Sequence, residues 1–224
     1  MEQNISVGFF QGSVVDPVFT DINALVIKIM EAGNVKVTHV NDWTGHKLVH
    51  DSTEEFDMTL ELAMKNIEAC EKHGFDYIVN TIGGPGTALN EYDKLFVPGT
   101  AWYERAKRFT DKVRDISDIM DMAKLEFIHE VERTAVYEYP EKMSNEQKVF
   151  EEPVKIIKQI PGLNYIEMKK DEVESPEPDL IITSHAERHN PATSNDELSG
   201  ISDPIEVKHI VEVVAESCGI ASNQ

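Results

Sequence analysis

Cysteine is scarce in this 224-residue chain, with only Cys70 and Cys218 present. They lie far apart and form no CxxC pair, which excludes a disulfide framework and a CxxC redox motif. Each falls on the apolar stripe of an expected helix, where a buried free thiol is the ordinary outcome. Long hydrophobic runs are also missing. The longest stretches, such as INALVIKIM, fall well short of a membrane span. The start, MEQNISVGFF, has no basic region ahead of a long apolar one, so no secretory signal is expected. Together these absences point to a reducing, cytoplasmic setting.

Basic residues are outnumbered, 21 Lys and Arg against 41 Asp and Glu, for a net charge of −20. Such a surface repels phosphate backbones and anionic head groups, arguing against nucleic-acid and membrane partners. A small anionic metabolite stays compatible, because a glycine nest can override an unfavourable field locally. Hydrophobic residues make up 41%, enough for a packed core.

Five short β-like runs stand out: residues 5–10 (ISVGFF), 35–40 (VKVTHV), 76–82 (DYIVNTI), 163–168 (LNYIEM) and 179–184 (DLIITS). Between the first three, apolar residues recur at helical spacing. Phe19, Ile22, Val26 and Ile29 form one set; Phe56, Leu60, Ala63, Ile67 and Cys70 form another. Asp16-Pro17 reads as a helix start, and Gly33 and Gly74 read as stops. A short helix is expected from about Pro153 to the IPG at 160–162, and a last helix after Asp203-Pro204, with Val207, Val211, Val214 and Cys218 on one face.

This alternation predicts an α/β fold: one five-stranded, mostly parallel, doubly wound sheet of flavodoxin or Rossmann type. The chain reads as a single domain over 1–224, without internal repeats. From Ala101 to about Glu138 a four-three rhythm (Phe109, Val113, Ile116, Met120, Ala123, Phe127, Val131) predicts a long helical insertion between strands three and four, with 101–160 as its full extent. An unbroken helix there would run ~57 Å. Either it breaks near Asp118–Asp121, or it pairs two copies into a homodimer.

In open parallel sheets, ligands collect beyond the carboxyl ends of the strands. There the sequence offers Gln11, Gly12 and Ser13; Asn41 and Asp42; Asn80 and Thr81 before Gly83, Gly84, Gly86 and Thr87; then Ser184, His185 and Glu187. The bare glycines allow close backbone approach and an anion-binding concavity, with the Thr87 hydroxyl as an added donor. Tight turns use glycine for steric reasons as well. His185, with Asp42 or Glu187, is the expected acid–base group. Ser13 and Ser184 are candidate nucleophiles, but no G-x-S-x-G elbow accompanies them.

His46 and His50 are four apart, as are His185 and His189. That spacing on a helix suits a divalent metal, the weaker reading for these residues; no cofactor is otherwise indicated. Glu126-x-x-His129 matches half of a di-iron helix pattern, and a solvated helix face explains it better. Trp102 and Tyr103 read as a helix-start packing pair or an aromatic lid.

The string GGPGTALNE at 83–91 locally resembles the glycine-rich region of the NAD and diacylglycerol kinases, where GGDGT stands. Pro85 occupies the place of that family's aspartate, the acid that metal-assisted phosphoryl transfer would need. On the residues alone, the expected function is an enzyme (hydrolase, lyase or transferase) acting on a small anionic or phosphorylated metabolite. The alternative is a non-catalytic metabolite-binding or regulatory protein assembled through the long helix.

Overall fold

The computed structural model describes residues 5–10, 17–40, 53–79, 89–138, 151–167, 177–184 and 205–221. The chain divides into two compact units, one of Met1–Val15 and Asn34–Ile119, the other of Asp16–Gly33 and Met120–Gln224.

The first unit holds β1 (Ser6–Phe10), β2 (Lys36–Val40), β3 (Tyr77–Val79) and β4 (Val113–Arg114). They form one parallel sheet in the order β2-β1-β3-β4. The central strands are apolar runs because both faces are covered: Val7, Phe9, Phe10, Ile78 and Val79 are buried. Edge strand β2 is largely open, and only its last residue, Val40, is buried.

Helix α2 (Thr53–His73) buries Thr59, Ala63, Asn66, Ile67 and Cys70, one stripe at helical spacing. Phe56, expected on that stripe, is exposed. The helix ends where Gly74 adopts φ +66°, a left-handed stop that a side chain would strain. A short 3₁₀ turn (Tyr92–Leu95) leads to α3 (Ala101–Thr110), whose Thr100 hydroxyl accepts from the Tyr103 N–H at 3.3 Å.

The core of this unit is aromatic. Phe109 meets Phe10 edge-on, centroids 6.0 Å apart, and stacks on Tyr92 at 5.2 Å. The buried Tyr92 hydroxyl accepts from Asn66 Nδ2 at 3.0 Å, which settles two polar groups at once. Gly8 is small for a reason: a Cβ there would lie 2.5 Å from the Phe75 ring.

In the second unit, β5 (Arg133–Glu138), β6 (Leu163–Tyr165), β7 (Leu180–Thr183) and β8 (Glu206–His209) form another parallel sheet, ordered β6-β5-β7-β8. Helices α1 (Pro17–Ala32), α5 (Glu151–Ile157) and α6 (Ile210–Ser217) belong here; α4 (Ile116–Met122) begins in the first unit. The core is aliphatic, drawn from Ile22, Val26 and Ile29 of α1, Ile156 and Ile157 of α5, Leu180 and Ile182 of β7, and Val211 and Val214 of α6. Gly33 closes α1 against Ala123, whose Cβ would sit 2.6 Å from an added methyl.

Numbered within its own unit, each sheet has the order 2-1-3-4. The repetition reaches individual hydrogen bonds. Asp76, just before β3, accepts from the Ser6 N–H at 2.8 Å, and its own N–H donates to the Ser6 carbonyl at 3.0 Å. Asp179, just before β7, accepts from the Thr134 N–H at 3.1 Å and donates to the Thr134 carbonyl at 2.9 Å. Past the fourth strand the match recurs. The Asp115 N–H donates to Asp118 (3.2 Å) while Asp115 accepts from the Ser117 N–H (2.9 Å). The His209 N–H donates to Glu212 (2.7 Å) while His209 Nδ1 accepts from the Val211 N–H (3.2 Å). Both are reciprocal caps at a helix start.

Several expectations are thereby corrected. All five expected strands exist, but β4, β5 and β8 bring the total among the described residues to eight, in two sheets. The long helical insertion is absent. α3 stops at Thr110, β4 and α4 follow, residues 123–132 carry no helix, and β5 stands where the rhythm was read as helical. Phe127 and Val131 are four apart, which mimics a helix. The Thr134, Val136 and Tyr137 that follow are strand formers, and sheet pairing decides. The last helix starts at Ile210, because Val207 pairs with Ile181 in the sheet. An internal repeat is present where none was expected.

Candidate functional site

Because every strand pair is parallel, the carboxyl ends of each sheet's strands share one edge. In the second unit, three strands end in one row: Glu138 pairs with Thr183, and Thr183 with His209. Thr183 and His209 are fully buried. This buried polar pair lies at the edge where the general rule for parallel sheets places function. His209 is held by the Val211 N–H on Nδ1, so backbone geometry fixes its ring orientation. Ser184 follows the row and is half-buried.

In the first unit, buried Phe10 ends β1 and half-buried Asp115 directly follows β4. Asp115 also accepts from the Ser117 hydroxyl at 2.6 Å.

Of the residues expected to form the site, Ser184 is the one within the described residues. Gln11, Gly12, Ser13, Asn41, Asp42, Thr81, Gly83, Gly84, Gly86, Thr87, His185 and Glu187 lie outside them, as do His46, His50 and His189. In sequence, Gln11 directly follows β1, Asn41 follows β2 and His185 comes two residues after β7. Among the described residues no group of three or more His, Cys, Asp or Glu could hold a metal ion. Glu126 and His129 are exposed and lie outside any helix, which removes the half di-iron pattern.

Trp102 serves packing. It stacks on Phe96 at 5.8 Å and lies 3.8 Å beneath the Arg105 guanidinium. Arg105 in turn grips Glu71 through Nε at 3.0 Å and a terminal nitrogen at 2.6 Å. That hydrogen bonding lowers the Glu71 carboxyl below its usual range and raises Arg105.

The reciprocal caps were not foreseen. Their signal is present as VRDISD at 113–118 and VKHIVE at 207–212, two copies of one pattern. DYIV at 76–79 and DLII at 179–182 form a second matched pair.

No family model matches the chain, so the local kinase likeness at 83–91 gains no support. Several curated relatives align with it, among them the following three. A probable glycolate oxidase iron–sulfur subunit from Bacillus subtilis (strain 168) is 28% identical over 167 residues, 73% of this chain and 38% of that protein. An uncharacterised iron–sulfur protein of Methanococcus maripaludis is 28% identical over 168 residues, 75% of this chain and 31% of that one. Lactate utilization protein A from Geobacillus sp. (strain WCH70) is 30% identical over 106 residues, 46% of this chain and 44% of that protein. The aligned part of this chain thus spans less than half the length of each. A Drosophila melanogaster DJ-1beta crystal structure covers 98% of this chain and is wholly covered by it, at 12% identity and a TM-score of 0.31, too low to inform fold or function.

These relatives overturn the expected hydrolase, lyase or transferase, together with its non-catalytic metabolite-binding alternative. They are iron–sulfur and lactate-utilization proteins. Nothing in them supports anion binding by the glycine loop or assembly into oligomers. No helix among the described residues is long and apolar enough to cross a membrane.

An iron–sulfur cluster needs thiolates, typically about four. Cys70 is 4% exposed within the first unit's aromatic core, and burial pushes its thiol up to about 11. Cys218 ends α6 in the second unit, and burial raises its thiol too. The residues present do not fit a cluster.

Proposed function

We propose that this chain serves a redox system that oxidises small 2-hydroxy acids, of which glycolate and lactate are the two simplest. The supporting observation is the alignment of 73% of the chain with a glycolate oxidase iron–sulfur subunit, alongside a second likeness to a lactate utilization protein. Two named relatives, on closely related substrates, converge on one chemical class.

In this reading the chain supplies a framework rather than reacting atoms. Its two parallel sheets hold eight strand ends in fixed registers, and the paired Asp76 and Asp179 locks pin the first and third strand of each. A framework of this kind positions the loops that follow the strands, where partners of a multi-subunit oxidase would dock.

The test is genetic and enzymatic. Deleting the coding sequence in its native host is expected to reduce dye-coupled oxidation of lactate or glycolate by cell extract to near background, with recovery when the chain is restored. Unchanged oxidation of both acids would exclude the proposal.

A further inference from the structure

We infer that these 224 residues form a cluster-free module: the chain keeps a frame shared with iron–sulfur proteins but transfers no electrons through a cluster of its own. The inference rests on the hydroxy-acid reading for its biological meaning, though its chemistry stands on the cysteines.

Both cysteines of the sequence are free thiols, Cys70 buried and Cys218 half-buried. Cys70 is surrounded within its own unit by the apolar cluster that includes Ala63, Ile67, Phe75 and Phe109. A charged iron centre there would displace packed side chains in a core with no room for it. The burial that raises the thiol also disfavours the thiolate, which is the form that binds metal.

That leaves one partly accessible thiol, Cys218, at the carboxyl end of α6. A helix carboxyl end disfavours an anion. One thiolate cannot hold a cluster. Even the arrangement in which two histidines replace two cysteines needs both remaining thiolates on the same iron, and the Cys70 core denies it one. Nor do the cysteines occupy matching places in the repeat. Cys70 sits in the helix before the third strand, Cys218 after the helix that follows the fourth. A duplicated ligand set would show the same position twice.

Any cluster in the oxidation system must then be carried by thiolates outside these residues. The module's contribution is to hold and orient, and its loss is expected to disturb assembly while the clusters carried elsewhere keep their own ligands.

The decisive experiment is anaerobic reconstitution of the full chain with ferrous iron and sulfide, followed by desalting and assay of iron, acid-labile sulfide and visible absorption. The expected result is no retained sulfide and no absorption band, with Cys218→Ser indistinguishable from the parent. Retention of about two or four sulfides per chain, with a band that Cys218→Ser abolishes, would overturn the inference. Native thiol titration supplies an independent readout: Cys218 is expected to react first, and Cys70 only after unfolding. A cluster-bearing chain that also supports hydroxy-acid oxidation defeats this inference alone. A cluster-free chain whose deletion leaves oxidation intact defeats the proposed function alone.

Discussion

The two units repeat one strand order with different fillings. The first is packed with aromatic rings around Phe109, the second with isoleucine, leucine and valine from α1, α5, β7 and α6. What they share is polar and backbone-directed: an aspartate before the third strand and a reciprocal cap after the fourth. Hydrophobic volume can be filled in many ways, provided the total is kept. A carboxylate that must meet one particular N–H has few substitutes. The frame's identity therefore resides in its locks, and its cores are free to diverge.

The sharpest way to break that comparison is to damage a filling. Phe109→Ala removes the ring that joins Phe10 and Tyr92 and is expected to cost about 3–5 kcal/mol in urea denaturation. A loss below about 1 kcal/mol would mean that the aromatic core readily collapses onto the gap.

Next in size is the buried thiol. The Cys70 thiol ionises near its ordinary value when unfolded but only at about 11 when folded. Below the unfolded value both states are neutral, and this stabilisation is fully present. As pH rises, the unfolded chain loses the proton first, so stability falls through the window from 9 to 11. The fall should reach roughly 2–3 kcal/mol, and Cys70→Ala should flatten it, whatever its constant packing cost. Denaturation curves at stepped pH check this.

The caps come third. Asp115→Ala is expected to cost about 1 kcal/mol by removing an N-cap acceptor. Glu212→Ala, which removes the other half of the matching cap, should fall in the same range. If only one of the two matters, the caps are alike in geometry and unlike in energy.

The smallest effect belongs to Asp76. The Ser6 backbone N–H, aided by the Ser6 hydroxyl, holds its carboxyl below the ordinary range. Stability from this bond is present above the unfolded carboxyl value and is lost as pH falls through the lower folded one. Asp76 is solvent-exposed, so screening keeps the contribution under about 1 kcal/mol. Asp76→Asn should reduce stability at neutral pH and match the parent at strongly acid pH.

Much of the frame is written in local pattern. The runs at 5–10, 35–40 and 179–184 each contain a strand, since an apolar stretch between turn signals has few alternatives. Gly33 and Gly74 marked helix ends correctly, one by close packing and one by positive φ. The middle misled because Phe127 and Val131 continue a helical period by coincidence, while strand pairing across 133–138 comes from distant residues at 163–165 and 180–183. β8 escaped notice for the same reason. Val207 fits the apolar face of α6 by spacing but is claimed by Ile181.

The candidate site was legible only as a location. Strand ends are readable, and the buried Thr183–His209 pairing lies at one of them. Its chemistry was not, because hydrolysis, group transfer and redox support can all use the same sheet edge. His209 falls inside the helix expected after Asp203-Pro204, and nothing short of the sheet register shows it beside Thr183.

The account's central claim, a repeated frame without cluster ligands, is tested most directly on protein isolated anaerobically from its own host. Iron, labile sulfide and native thiol reactivity would be measured on the same sample. The account predicts no iron or sulfide, one thiol that reacts in the native state and a second that appears only on unfolding. Stoichiometric iron and sulfide, with both thiols shielded until the metal is removed, would contradict it.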